Sequence, residues 1–232
     1  MRLADYIIDW LSSKGITDMF TVSGGGSIVL CDSLGRSDTM KYYCCHHEQA
    51  VAFAAEGYAR ASNNLAAALV TTGPGGTNTI TGLVGAWIDS IPQLIISGQV
   101  ATKDMINKKK IRQMGVQEIN IVDIVKPVTK YAVTVRDPNQ IKFELEKCLN
   151  YLRSGRPGPV WIDIPLDIQT AQINLKSLKS FKKINTNQKK KKLDFNRIYD
   201  AIKSSKRPVF VIGNGIHLSK SKKEFISISN YF

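Results

Sequence analysis

Three segments of this chain are apolar nearly throughout, without the alternation of a half-exposed strand: Leu65 to Thr71, Leu94-Ile95-Ile96 and Val160-Trp161-Ile162-Asp163-Ile164. Strands of this kind are buried on both faces, so helices must cover both sides of their sheet. The intervening segments have the helical period. Leu3, Tyr6, Ile7, Trp10 and Leu11 predict an amphipathic helix over residues 3–14, stopped by Gly15. Further helices are predicted from Ile28 to Leu34, from His47 to Ala61 (ended by Asn63-Asn64), from Thr77 to Trp87, and over 139–153 with Ile141, Leu145, Leu149 and Leu152 on one face. Met19 to Val22 and Met40 to Cys44 read as two more strands. The fold class is therefore α/β, an open parallel sheet with helices on both faces. Glycine-rich turns, Ser23-Gly24-Gly25-Gly26 and Gly73-Pro74-Gly75-Gly76, follow two of these strands. Ligands bind at that edge of such sheets.

The 232 residues suffice for one domain and part of a second. Residues 1–168 form the α/β body, 169–192 read as a Lys-rich linker, and 193–232 as the incomplete start of a second α/β unit. That unit has a helix from Phe195 to Lys203, a strand from Pro208 to Ile212 and a Gly213-Asn214-Gly215 turn, too little to bury a core.

A net charge of +13 suggests nucleic acid, but its distribution argues otherwise. Residues 1–175 carry 17 basic against 16 acidic side chains, and residues 176–232 carry 15 against 3. The run Lys189-Lys190-Lys191-Lys192 has no interleaved aromatics to stack on bases, so a solvated linker is expected and no nucleic-acid partner. No stretch approaches the roughly 20 apolar residues of a membrane span. The N-terminus lacks a secretory layout. Cys31, Cys44, Cys45 and Cys148 form no Cys-x-x-Cys pair, so neither disulfides nor a structural metal site is expected, and the location is read as cytoplasmic. Cys44 and Cys45, ending a strand, are expected to pack.

Glu48, in His46-His47-Glu48-Gln49, falls in the first turn of a helix, where the dipole favours a carboxylate. A helix-start acid is one reading. The other is a functional carboxyl in the apolar setting of Ala50, Val51, Ala52, Phe53 and Ala54, where burial would raise its pKa. The spacing excludes a His-Glu-x-x-His metal motif, because position 51 is valine. The segment Thr71 to Asn78 is a strand-to-helix turn, and its glycines serve either tight packing or close approach to a flat ligand. Gly213-Asn214-Gly215 reads as a plain turn, and Arg156, in Ser154-Gly155-Arg156-Pro157-Gly158-Pro159, is free to grip an anion.

Taken in order, Ser23-Gly24-Gly25-Gly26, His47-Glu48-Gln49, Ala55-Glu56-Gly57-Tyr58-Ala59-Arg60, Val70-Thr71-Thr72-Gly73-Pro74-Gly75, Thr77-Asn78, Asp89-Ser90-Ile91-Pro92, Ser97-Gly98-Gln99-Val100, Gln117-Glu118 and residues 154–160 resemble the N-terminal pyrimidine-binding domain of thiamine-diphosphate-dependent enzymes, the acetolactate synthase large subunit above all. The resemblance runs from residue 3 to about 168. It implies that Glu48 hydrogen-bonds N1′ of the cofactor's aminopyrimidine, favouring the imino tautomer that takes the C2 proton. The resemblance further implies that the activated cofactor would act on a 2-keto acid such as pyruvate, in the pathway to branched-chain amino acids. It also implies that Ser23, Gly24, Gly25, Thr72, Gly73, Pro74 and Asn78 line the pyrimidine, that Gln117 sits near substrate and cofactor, and that Arg156 contacts FAD. No residue here is implied as a metal ligand. The family's Gly-Asp-Gly…Asn-Asn domain, which holds Mg²⁺ and the diphosphate, is not found in these residues. This chain is thus expected to offer a half-site, completed in a homodimer or tetramer, or by a complementary diphosphate-binding chain. A non-catalytic module is the alternative. Val116 stands where acetolactate synthases have an aromatic, which leaves open an acceptor such as a keto sugar.

Overall fold

The computed structural model describes residues 1–65, 67–106, 111–182 and 193–232. The chain divides into two compact units, Met1–Lys183 and Ile184–Phe232.

The first unit is a six-stranded parallel sheet in the order β2-β1-β3-β4-β6-β5. Its strands are β1 (Asp18–Thr21), β2 (Lys41–Cys44), β3 (Ala67–Val70), β4 (Leu94–Gln99), β5 (Tyr131–Thr134) and β6 (Val160–Pro165). The helices are α1 (Leu3–Ser13), α2 (Ile28–Gly35), α3 (Glu48–Ser62), α4 (Pro74–Thr77), α5 (Ile80–Ile88), α6 (Ile121–Val125), α7 (Ile141–Arg153) and α8 (Leu166–Thr170). Side chains alternate across a strand, which sorts the core into two layers. Met19, Leu69, Leu94, Ile96, Val160 and Ile162 pack with residues of α1, α2 and α7. Ala68, Val70, Ile95 and Trp161 pack on the other face with Val51 and Ala55 of α3, Leu83 of α5 and Ile121 and Val125 of α6. The expected α/β class, with helices on both faces, is the one observed.

Several local expectations need correction. The helix read from Thr77 to Trp87 is two, α4 with Pro74 at its first position and α5 from Ile80. β5 and α6 were not anticipated. After Thr170, where a linker was expected, Ile173 and Leu178 join the core and Ile173 N donates to Met1 O. Of the two cysteines expected to pack, Cys45 does so against the core, whereas Cys44 is exposed, because β2 is an edge strand whose four residues are all exposed. The Lys189–Lys192 run lies outside the described residues.

In the second unit the described elements are α9 (Phe195–Lys203), α10 (Gly215–Leu218) and α11 (Lys222–Tyr231). The strand expected at Pro208–Ile212 is absent; Val209 and Val211 are 83% and 93% exposed. A strand needs a paired neighbour, and among the described residues of this unit none stands beside it.

Candidate functional site

The strands are all parallel, so their carboxyl ends lie on one edge. The chain runs from β1 outward to β2 and then returns to place β3 on the other side of β1. In such sheets the crevice at this reversal is the ligand site. Both glycine turns lie there. Residues 22–26 follow β1 and residues 71–78 follow β3, while β2 leads into α3.

The two turns are packed into one another. Gly26 N donates to Thr71 Oγ1 at 3.0 Å. A Cβ on Gly24 would meet Thr71 at 2.5 Å, and one on Gly26 would meet Thr72 Oγ1 at 1.9 Å. Gly73 has φ +61, and a Cβ there would meet the Gln117 carbonyl oxygen at 2.2 Å. Packing therefore accounts for these three glycines. Gly25 differs, being exposed with nothing within 4 Å of its notional Cβ. Thr72 is buried and donates its hydroxyl to Gly98 O at 3.2 Å. Ser23 and Pro74 are exposed at the rim.

Glu48 is the first residue of α3. His47 caps that helix by accepting from Gln49 N at 3.1 Å through Nδ1. The carboxyl turns toward the second glycine turn. Its Oε2 accepts from Asn78 Nδ2 at 2.9 Å. Its Oε1 lies 3.6 Å from where a Gly75 Cβ would stand and takes no hydrogen bond among the described residues. The expected apolar enclosure is incomplete. Glu48 is half-buried, and the helical period turns Val51, Ala52 and Ala55 to the core but leaves Ala50 and Phe53 exposed.

Beside these turns lies a cleft of about 500 Å³ bordered by Gly25, Thr72, Gln99, Gly115, Val116 and Gln117. Gln117 is exposed, with φ +58. Its turn is held by Glu118, whose carboxylate accepts from Met114 N at 3.1 Å and Gly115 N at 3.2 Å, and also from Ile106 N. Thr71, Glu118 and Gln99 lie in the motifs that carry the resemblance, and their roles in holding these turns come from contacts that the sequence alone does not show.

Arg156 stands apart from this group. It precedes β6 and so lies at the amino edge of the sheet, donating to Ser90 Oγ at 2.5 Å and Ile88 O at 3.1 Å. The guanidinium expected to be free for an anion is engaged by its own chain. Among the described residues, no group of three His, Cys, Asp or Glu is placed to hold a metal ion, and no helix is long and apolar enough to cross a membrane.

Residues 1–124 match the family model described as "Thiamine pyrophosphate enzyme, N-terminal TPP binding domain", TPP being thiamine diphosphate. The chain is 32% identical to an acetolactate synthase of Arthrospira platensis across 97% of its own length and 39% of the relative's. It is 32% identical to a probable acetolactate synthase large subunit of Methanocaldococcus jannaschii, covering 100% of this chain and 39% of that one. It is 38% identical to acetolactate synthase 1, chloroplastic, of Oryza sativa subsp. japonica, over 72% of this chain and 25% of that one. The chain thus spans well under half the length of these relatives. On these matches, and with a crevice at the sheet reversal walled by the two glycine turns, the chain belongs to the thiamine pyrophosphate enzyme family and carries its N-terminal TPP-binding domain.

Proposed function

We propose that this chain supplies the pyrimidine half-site of a thiamine-diphosphate-dependent carboligase of the acetolactate synthase type, acting on pyruvate or a similar 2-keto acid. One observation carries the reading. The Glu48 carboxyl has one oxygen held by Asn78 and the other directed at the Gly75 turn with no partner among the described residues. That arrangement fits an aminopyrimidine edge. A fixed carboxyl presents a single oxygen to a ring nitrogen, and the glycine turns form a wall that a flat ring can approach closely.

When bound, the cofactor supplies a nucleophilic carbon and a sink for electrons released on decarboxylation. The chain's own residues do the rest. Glu48 shares a proton with the ring nitrogen at Oε1, and Asn78 keeps the carboxyl from rotating. Ser23, Gly24, Gly25, Thr72, Gly73 and Pro74 bound the pyrimidine, with Gly25 offering the open approach. Gln117, at the mouth of the cleft, contacts substrate and cofactor. The half-buried state of Glu48 supports a site closed by a second polypeptide surface. We assign that surface, with Mg²⁺ and the diphosphate, to a partner subunit in a homodimer or tetramer, or to a complementary chain. FAD contact through Arg156 rests on the resemblance and draws no support from its hydrogen bonds. The four free cysteines favour a reducing compartment, and we place the protein in the cytoplasm.

A non-catalytic assembly module is the second reading, favoured by how fully loop packing accounts for Gly24, Gly26 and Gly73. The complete protein, incubated with thiamine diphosphate, Mg²⁺ and pyruvate, is expected to release carbon dioxide and form acetolactate. Product from an added keto sugar instead would redirect the acceptor. No carbon dioxide release from any 2-keto acid tried would contradict the proposal and favour the module.

A further inference from the structure

Asp163 is fully buried and has no part in the reaction proposed above. It sits on β6 with Ser97 of β4 and Thr134 of β5 as its cross-strand neighbours. Three side chains converge on its carboxyl. Ser97 Oγ is 2.6 Å from Oδ1, while Thr134 Oγ1 and Gln99 Nε2 reach Oδ2 at 3.0 Å and 3.4 Å. Trp161 Nε1 donates to Ser97 Oγ at 2.8 Å. An indole offers no acceptor, so the Ser97 hydroxyl hydrogen goes to Asp163.

Gln99 carries this network to the crevice. Its Nε2 also donates to Ile119 O at 2.9 Å, and its Oε1 accepts from Val100 N at 3.0 Å. Ile119 lies two residues past Gln117, whose carbonyl packs against the Gly73 turn. Glu118 fixes the near side of the Gln117 turn through the amides of Met114 and Gly115; Gln99 fixes the far side.

We propose that Asp163 is a positioning residue that, through Gln99, sets where the Gln117 turn stands against the Gly73 turn. The functional meaning of that position rests on the reading of the crevice given above.

The linkage carries a protonation dependence. Burial pushes the Asp163 carboxyl up and Ser97, Thr134, Gln99 and Arg136 pull it part of the way back, the balance standing at about 6. Arg136, just past β5, is the charged group acting on it. Its strand neighbours Ser97 and Thr134 are neutral, and the helices on this face bring Val51 and Ala55 of α3, Leu83 of α5, and Ile121, Val122 and Val125 of α6 to the core. A proton on Oδ1 would confront the Ser97 hydrogen, so the proton goes to Oδ2. There Thr134 can reverse its hydroxyl and accept. The Gln99 nitrogen can only donate, and its bond to the carboxyl weakens once the charge is gone.

The test uses the 232-residue chain without cofactor, so it stands or falls separately from the proposed reaction. The Asp163 carboxyl carbon and the backbone amides of Gly73, Gly115, Gln117 and Ile119 are followed by NMR from about pH 4 to about pH 8. The amides are expected to move with the midpoint of Asp163. In Gln99→Met the carboxyl still titrates and the amides lose that movement; in Asp163→Asn they are flat. Should Asp163→Asn not fold, the unsubstituted chain and Gln99→Met decide the matter. Amides that stay still while Asp163 titrates, or that follow it undiminished in Gln99→Met, would overturn the proposal.

Discussion

A methyl group added at Gly26 would stand 1.9 Å from Thr72 Oγ1, whereas one added at the adjacent Gly25 meets nothing within 4 Å. The two substitutions should therefore part company. Gly26→Ala is expected to destabilise by roughly 1–3 kcal/mol through overpacking, and Gly25→Ala to stay within about 0.5 kcal/mol. Thermal melts of the two variants, compared with the unsubstituted chain, check this; equal losses would mean the turns are not packed as described. From sequence, Ser23 to Gly26 and Gly73 to Gly76 were legible as turns at a ligand-binding edge, but which glycine faces the crevice and which faces its neighbour was not. That distinction depends on contacts between distant segments, such as Gly26 with Thr71 and Gly73 with Gln117. Glu48 was legible as a helix-start carboxyl. Its bond to Asn78 and its half-exposed state were not, because they depend on where α3 meets the second turn.

At the scale of elements, the continuously apolar segments led directly to β3, β4 and β6, which are buried along their whole length. β5 was missed because its four residues are half-buried, without the apolar run that marks the central strands. Pro208 to Ile212 misled for the converse reason: an apolar run is a strand only where a neighbour supplies hydrogen bonds. Asp163, the one acid inside an apolar strand, is satisfied by three side chains from two other strands, which no local pattern reveals. Its folded-state pKa lies above its ordinary value. The folded protein thus binds this proton more tightly than the unfolded chain does. The stability it confers is present below about pH 4 and is lost as pH rises through about 6. A span of about two pH units corresponds to on the order of 3 kcal/mol. Denaturant melts across this range should show the decline, and Asp163→Asn should flatten it; an unchanged slope in the variant would assign the pH dependence to another group. Ser97→Ala leaves both Trp161 Nε1 and an Asp163 oxygen without a partner, and should cost about 1–3 kcal/mol in the same melts.

At the scale of the whole molecule, the basic charge concentrates after residue 175, while the body that carries the crevice is near neutral. Glu48, beside the second glycine turn, is only half-buried in this single chain. A half-site of this kind should bind the cofactor poorly by itself. Calorimetric titration of the chain with thiamine diphosphate and Mg²⁺ is expected to give weak heats or none, and tight binding would mean that no second surface is required. The central claim concerns one carboxyl, and it is tested most directly by hydrogen–deuterium exchange at C2 of the bound cofactor in the complete protein. Glu48→Gln keeps the shape and the contact to Asn78 but cannot share a proton, so exchange should fall by roughly 10²–10⁴-fold. Exchange at the unsubstituted rate in that variant, with the cofactor still bound, would contradict the role assigned to Glu48.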